Sequence, residues 1–436
     1  MLEHRPPALF LHSAFRSGST WFWNRFRQTA SACAYYEPFN EGLAGLTPDK
    51  IAHGVPGNWA TGHPTLSAPY FTEYRSLLRP EGGVASFEPR FSYEDYFNDE
   101  PDEGSLRYIA ALTENAWQAG KIPVLGFCRS LVRVPWFHRH CPGVHIVTWR
   151  NPWDQWASCH DQSILNKNAY FEFKTFLISS IGNLSKKYRD YFCDLYLPPF
   201  LKYSPVSNEE FLYKFFYATH VNHRFRIFLR LFMLDMLSAL AHADEVVDLD
   251  RLSADADYRR ETTLHLRSVS GLADLSFDDC ALPRHAYQED GDYLAEMDAA
   301  LVFLDDVNAR LSLAEPEVRA LSDLKDRMRR CRQDMCLAAS LVVGAGDDQA
   351  DEPDGGLDRY TLSHILFAVQ CMLRDGGEPA SGLDYLRSVY GPDYPVLLGD
   401  LAQVADFVHW LDGDPAHAKE RAAAARLSQA LSHEEA

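Results

Sequence analysis

The run Ala8 to Ala14 (ALFLHSA) is nearly all apolar and is soon followed by Gly18. It is too short for a helix ahead of a glycine and reads as a buried central strand. Gly18 then permits a tight turn, Ser19 offers a cap oxygen, and Trp21, Phe22, Trp23 and Phe26 continue as a helix. Such a strand, turn and helix gather backbone N–H groups at a helix N-terminus, where an anion is held.

The same pattern recurs downstream. Cys33 to Pro38 predicts a short extended piece that the proline stops, and Phe39 to Gly104, rich in Gly, Pro and aromatics, shows no period. Ser105 is placed to cap a helix carrying Leu106, Ile109, Ala110, Thr113 and Trp117, closed by Gly120. Ile122 to Phe127 and Val144 to Trp149 predict two further strands, with a short helix or turn over Val132 to Cys141 between them. Strands alternating with helices predict an α/β fold with a central parallel sheet flanked by helices. Such sheets bind ligands at the carboxyl ends of their strands.

From Pro152 the pattern is mostly helical. Ser207 with Glu210 predicts a capping box for a helix reaching about Ala241, and Glu245 to Leu249 reads as one more buried strand. Helices are expected over Tyr258 to Ser270, Asp292 to Leu313 and Glu317 to Val343. Asp347 to Gly356 (DDQADEPDGG) is an acidic break that predicts a linker, and Leu357 to Ala436 reads as a helical appendage.

Composition narrows the function classes. A net charge of −19 over 436 residues argues against a general nucleic-acid binder, so an anionic ligand must be held by a few local cations. The nine cysteines form no CxxC pair, which points to neither a zinc site nor a disulfide framework and suits a reducing compartment. The greasy stretch Phe211 to Ala241 carries Lys214, Arg224, Arg226, Arg230 and Asp235, so no membrane span is expected there; it reads as core or a wall of a cleft. With no room for a signal peptide before the first strand, the expectation is a soluble, cytoplasmic protein.

Two stretches carry the chemistry. Phe15-Arg16-Ser17-Gly18-Ser19-Thr20-Trp21 follows the first strand, and Thr148-Trp149-Arg150-Asn151-Pro152, with Ser158 eight residues after Arg150, closes the third long one. Pro152 suits a first helical turn, and Arg150 at the strand end offers a charged fork. Together they resemble the 5′-phosphosulfate turn and the 3′-phosphate element of the sulfotransferases, which use 3′-phosphoadenosine 5′-phosphosulfate (PAPS). The resemblance covers Ala8 to Cys159 and, by general layout, extends to about residue 310. It implies a P-loop-like core at 1–315, with 316–346 as a helical extension, 347–356 as linker and 357–436 as appendage.

It further implies that Arg16, Ser17, Gly18, Ser19, Thr20 and Trp21 bind the phosphosulfate and nucleotide, and that Arg150 and Ser158 hold the 3′-phosphate. Arg16 would stabilise charge on the leaving nucleotide, and Glu37 would be the general base toward a hydroxyl, on a sugar or another acceptor. Glu41 is its nearest rival, with His53, His63 and Glu88 weaker. Arg129, just past a strand, reads either as an anion ligand or as one half of an exposed ion pair. Arg284 and His285 are candidates to replace a closing loop whose usual sequence is missing. No metal cluster is visible in the sequence, and the family needs none. Two other readings compete: an inactive relative serving as a binding partner, and a nucleotide kinase. The kinase lacks support because the first Gly and the Lys of GxxxxGK[ST] are missing.

Overall fold

The computed structural model describes residues 5–53, 66–100, 102–165, 168–195, 197, 216–217, 219–288, 290–343, 368–369, 372–373, 378–390 and 418–434. Five strands, β1 Leu9–His12, β2 Ala32–Tyr36, β3 Ile122–Phe127, β4 Val144–Trp149 and β5 Glu245–Asp248, form one sheet in the order β2-β3-β1-β4-β5. Every pairing is parallel, so the chain has the α/β architecture that its pattern predicts.

Alternation along β1 builds both faces of the core. Ala8 and Phe10 point into a cluster with Tyr108, Leu112, Trp136 and Phe137, while Leu9 and Leu11 meet Phe22, Phe26 and Leu266 on the opposite face. The helices are α1 Ser19–Arg27, α2 Pro48–His53, α3 Glu103–Gln118, α4 Val134–His140, α5 Pro152–Leu165, α6 Tyr170–Leu184, α7 Arg189–Phe192, α8 Val221–His242, α9 Leu249–Ala254, α10 Ala256–Ser270, α11 Tyr293–Leu311 and α12 Glu315–Val343, of which α1, α3, α4 and α10 supply the residues just named. Two more, α13 Pro379–Tyr390 and α14 Ala418–Glu434, lie in the stretch expected to be a helical appendage.

The strand order places the site. The connection leaving β1 runs toward β2 on one side of the sheet, and the one leaving β4 runs to β5 on the other. The carboxyl ends of β1 and β4 therefore flank the point where the winding reverses, the usual place for a ligand crevice in an open parallel sheet. Arg16 follows β1 and Arg150 follows β4.

Two expected caps are corrected. Gly18, in the left-handed region at φ 93°, is the N-cap of α1, and no side chain caps that helix; Ser19 is its first helical residue. Asp102 caps α3 by accepting from the N–H groups of Gly104 and Ser105, and Ser105 lies buried inside the helix. Each motif offered several polar residues in a row, and periodicity cannot choose among neighbours. The unpatterned stretch after β2 contains α2 and three 3₁₀ turns at Glu41–Gly45, Thr72–Leu77 and Pro89–Phe91. The Ser207/Glu210 box, the 347–356 linker and His63 lie outside the described residues.

The chain clusters into two units, 1–178 with 228–289 and 294–342, and 179–227 with 290–293 and 343–436. The sheet and all candidate site residues belong to the first. In the second, His223 Nε2 lies 2.9 Å from the Leu195 carbonyl, Phe225 stacks edge-on with Tyr293, and α13 packs against α14. Among the described residues no helix is long and apolar enough to cross a membrane.

Candidate functional site

The turn after β1 is held from several directions. The Ser17 hydroxyl donates to the Ala14 carbonyl at 2.8 Å, Thr20 Oγ1 meets the Tyr36 hydroxyl at 3.0 Å, and the Cys128 thiol donates to Ser19 Oγ at 3.2 Å. The side chains are thus engaged, yet the backbone N–H groups of Gly18, Ser19, Thr20 and Trp21 meet no acceptor among the described residues. Four donors at the positive end of α1 form a cradle for an anion. Trp21 turns its ring toward Phe277 and Arg25.

Arg16, two residues before Gly18, has a strained backbone, with φ at 60°. Its guanidinium donates through Nε and Nη2 to Ser158 Oγ, at 3.1 and 2.9 Å, and lies over the Phe171 ring. Burial, together with the neighbouring Arg150 charge, pulls Arg16 below the usual arginine range. Ser158 reaches this spot because α5 starts directly after β4: Pro152 sits at its beginning, and the Asn151 side chain accepts from the Trp153 N–H at 2.9 Å.

Arg150 ties the site together. One Nη group donates to the Arg16 carbonyl and the other to the Pro283 carbonyl, both at 2.8 Å, while its buried Nε has no partner. Ser158 therefore meets Arg16, where the resemblance implies that it shares a phosphate with Arg150. The Pro283-Arg284-His285 segment does come to this end of the sheet. Arg284 and the His285 N–H both bind Asp154 at 2.8 Å, and a Cβ on Gly18 would lie 3.0 Å from Leu282 Cδ2. A cavity of about 610 Å³ opens beside Asn151 and Arg284, lined also by Asp248, Asp250, Arg327 and Arg330 and by none of Arg16, Gly18, Arg150 and Ser158.

Glu37 stands across the sheet end, also in the left-handed region at φ 41°. Of the described residues other than glycine, only Arg16, Glu37, Ser86 and Ser312 have positive φ, and two of these four are the candidate catalytic residues. Such strain costs about 1–3 kcal/mol per residue and persists where the surroundings dictate it. The Glu37 N–H donates to the Gly126 carbonyl, and its Oε2 accepts from Asn40 and from Nη1 of Arg129. The Tyr70 phenol, pushed up by burial and by Glu37 and drawn down by Arg27 and Arg16, lies within electrostatic reach of both candidate residues.

Arg129 is 1% exposed, so neither the open anion ligand nor the exposed ion pair expected from sequence describes it. Besides Glu37 it donates to Tyr93 Oη at 3.2 Å, Glu41 Oε2 at 2.8 Å and Tyr170 Oη at 2.9 Å. Burial alone would lower its pKa, but Tyr93, Glu37, Tyr170 and Glu41 carry it above the ordinary arginine value. Glu41 is held below the usual carboxylate range because Arg129 and Lys174 outweigh its burial. Phe15 under Arg129 and Phe171 under Arg16 are themselves in ring contact, and so join the two cationic centres. Of the weaker candidates for the base, His53 pairs with Asp49 on the surface, and Glu88 with Arg90.

Of the three residues after β3, Arg129 stood out in the sequence, whereas Cys128 and Ser130 did not. Cys128 binds the turn at Ser19, Arg129 binds Glu37, and Ser130 Oγ lies 2.7 Å from Nδ1 of His12 at the end of β1. His12 Nε2 in turn lies 3.2 Å from Nδ1 of His145, whose Nε2 faces the Cys141 carbonyl at 3.0 Å. Burial favours the neutral form of both rings, and because the carbonyl can only accept, Nε2–H on each neutral ring satisfies the network. Their place directly beyond a strand was the only available signal.

Comparison with protein-family models, curated proteins and solved structures finds no match to this chain.

Proposed function

We propose that this chain is a sulfotransferase that moves a sulfuryl group from PAPS to an acceptor hydroxyl on a carbohydrate or glycoconjugate. The observation that carries the reading is the meeting, at one switch point, of four unpaired N–H groups with Arg16, Arg150 and Ser158, which come from the two stretches that resemble sulfotransferase phosphate elements. The unpaired Nε of Arg150 and the free donors of the turn fit a ligand with two anionic ends. A cytoplasmic location belongs to the same proposal and suits the eight free cysteines among the described residues.

PAPS supplies an activated sulfuryl group. In the transfer the acceptor oxygen bonds to sulfur, the bond from sulfur to the nucleotide phosphate oxygen breaks, and the acceptor proton passes to the Glu37 carboxylate. Arg16 stays charged at neutral pH, so its part is electrostatic: with the N–H groups of the turn it offsets the charge growing on the leaving phosphate. Position and charge supply most of the acceleration in such in-line transfers.

The test is release or transfer of label from PAPS carrying sulfur-35, with wild type and Glu37→Gln. Loss of turnover by about 10²–10⁴-fold, the usual scale for a general base, with unchanged nucleotide binding is expected. Equal turnover in the variant removes Glu37 from the role.

A further inference from the structure

Arg129 is engaged by protein partners on almost every side. Four of its five N–H donors are committed, to Tyr93, Glu37, Glu41 and Tyr170, and its side chain is almost wholly enclosed. A guanidinium so occupied has little left for a ligand. Its contacts instead tie together residues far apart in the chain: the strained loop at Glu37, the 3₁₀ turn that begins at Glu41, Tyr93, and the first turn of α6 at Tyr170. Lys174, one turn further along α6, lies 3.6 Å from Glu41 and over the Tyr93 and Tyr170 rings.

We infer that Arg129 is the positioning residue for the transfer step, fixing the Glu37 carboxylate through Oε2 and aiming Oε1 at the acceptor oxygen. This rests on the sulfotransferase reading and extends it to a residue that touches neither nucleotide nor acceptor. The chemistry explains why an arginine stands here. A forked cation engages two carboxylates and two phenols at once, which a lysine's compact ammonium cannot do in fixed geometry. With Glu37 and Glu41 on one guanidinium, a shift of either changes the aim of the other. The adjacent Cys128 thiol, donating to Ser19, links the same strand end to the phosphosulfate turn, so base and turn keep one register.

The experiment compares wild type, Arg129→Met, Arg129→Lys and Tyr93→Phe. The readouts are release of labelled sulfate from PAPS carrying sulfur-35, with water as acceptor, and calorimetric binding of adenosine 3′,5′-bisphosphate. Arg129→Met is expected to lose about 100-fold in turnover, the scale of a misplaced catalytic group, while nucleotide affinity stays within about twofold. Arg129→Lys should recover part of that loss, since it restores the charge without the fork. Tyr93→Phe keeps every charge and covers the case in which Arg129→Met does not fold; it should lower turnover several-fold at unchanged affinity. Full turnover in Tyr93→Phe and Arg129→Met, or parallel loss of turnover and nucleotide affinity, overturns the inference alone. A wild type that neither binds the bisphosphate nor releases sulfate overturns the sulfotransferase reading beneath it.

Discussion

Gly18→Ala tests the turn at its tightest point. Gly18 has φ 93° and ψ 9°, a conformation that costs a residue with a Cβ about 1–2 kcal/mol. The new methyl would also stand 3.0 Å from Leu282 Cδ2 and 3.4 Å from Leu249 Cδ1, so Leu282 must retreat by a few tenths of an ångström. Together the two effects come to about 2 kcal/mol, or about 3 °C in melting temperature at an unfolding entropy of about 2.1 cal/mol/K per residue for the sheet-bearing unit. Leu282 adjoins Pro283, whose carbonyl takes an Arg150 bond, so the retreat also loosens Arg150. The N–H cradle should therefore lose about tenfold or more in affinity for adenosine 3′,5′-bisphosphate, equivalent to about 1.4 kcal/mol. Scanning calorimetry and titration calorimetry on one preparation read both effects. A variant that melts with wild type refutes the steric argument, and one that melts lower yet binds nucleotide equally well refutes the placement of the ligand on this turn.

Two further outcomes follow from the same geometry. Ser158→Ala removes the oxygen that receives Nε and Nη2 of Arg16; hydrogen bonds to charged groups are worth about 1.5–3 kcal/mol, so a fall in stability or nucleotide affinity of that order is expected by denaturant titration and calorimetry. The buried pair His12 and His145 predicts acid lability: burial drives His12 well below its usual value, as does the neighbouring His145, and pushes His145 down to about 4. The unfolded chain binds more protons than the folded one between about pH 6.5 and 4, so the denaturant midpoint should be steady above that window and fall through it; a flat midpoint contradicts the neutral-pair assignment.

The fold was legible because each strand carries its own signal. Ala8 to Ala14, Ile122 to Phe127 and Val144 to Trp149 are apolar runs ended by turn residues, and all five expected strands are present. The nearness of Arg16, Gly18 and Arg150 was legible for a similar reason: they stand shortly beyond β1 and β4, where sequence position fixes spatial position. Caps were not, since Asp102 and Ser105 differ only in which oxygen meets the free N–H groups. Nor was the ring around Arg129. Its partners lie 36 to 92 residues away, on a loop, on a 3₁₀ turn, near another and on α6, and no local pattern ties Tyr93 or Tyr170 to Glu37. The alternation that builds the sheet says nothing about which polar side chains meet above it.

The proposed function requires that the crevice between β1 and β4 hold a nucleotide bearing both 5′ and 3′ phosphates. Titration calorimetry of the wild-type chain with adenosine 3′,5′-bisphosphate and with ADP, repeated on Arg150→Ala, measures this directly. Tighter binding of the bisphosphate by the wild type, and loss of that preference in the variant, are expected; equal or tighter binding of ADP by the wild type contradicts a 3′-phosphate subsite at Arg150.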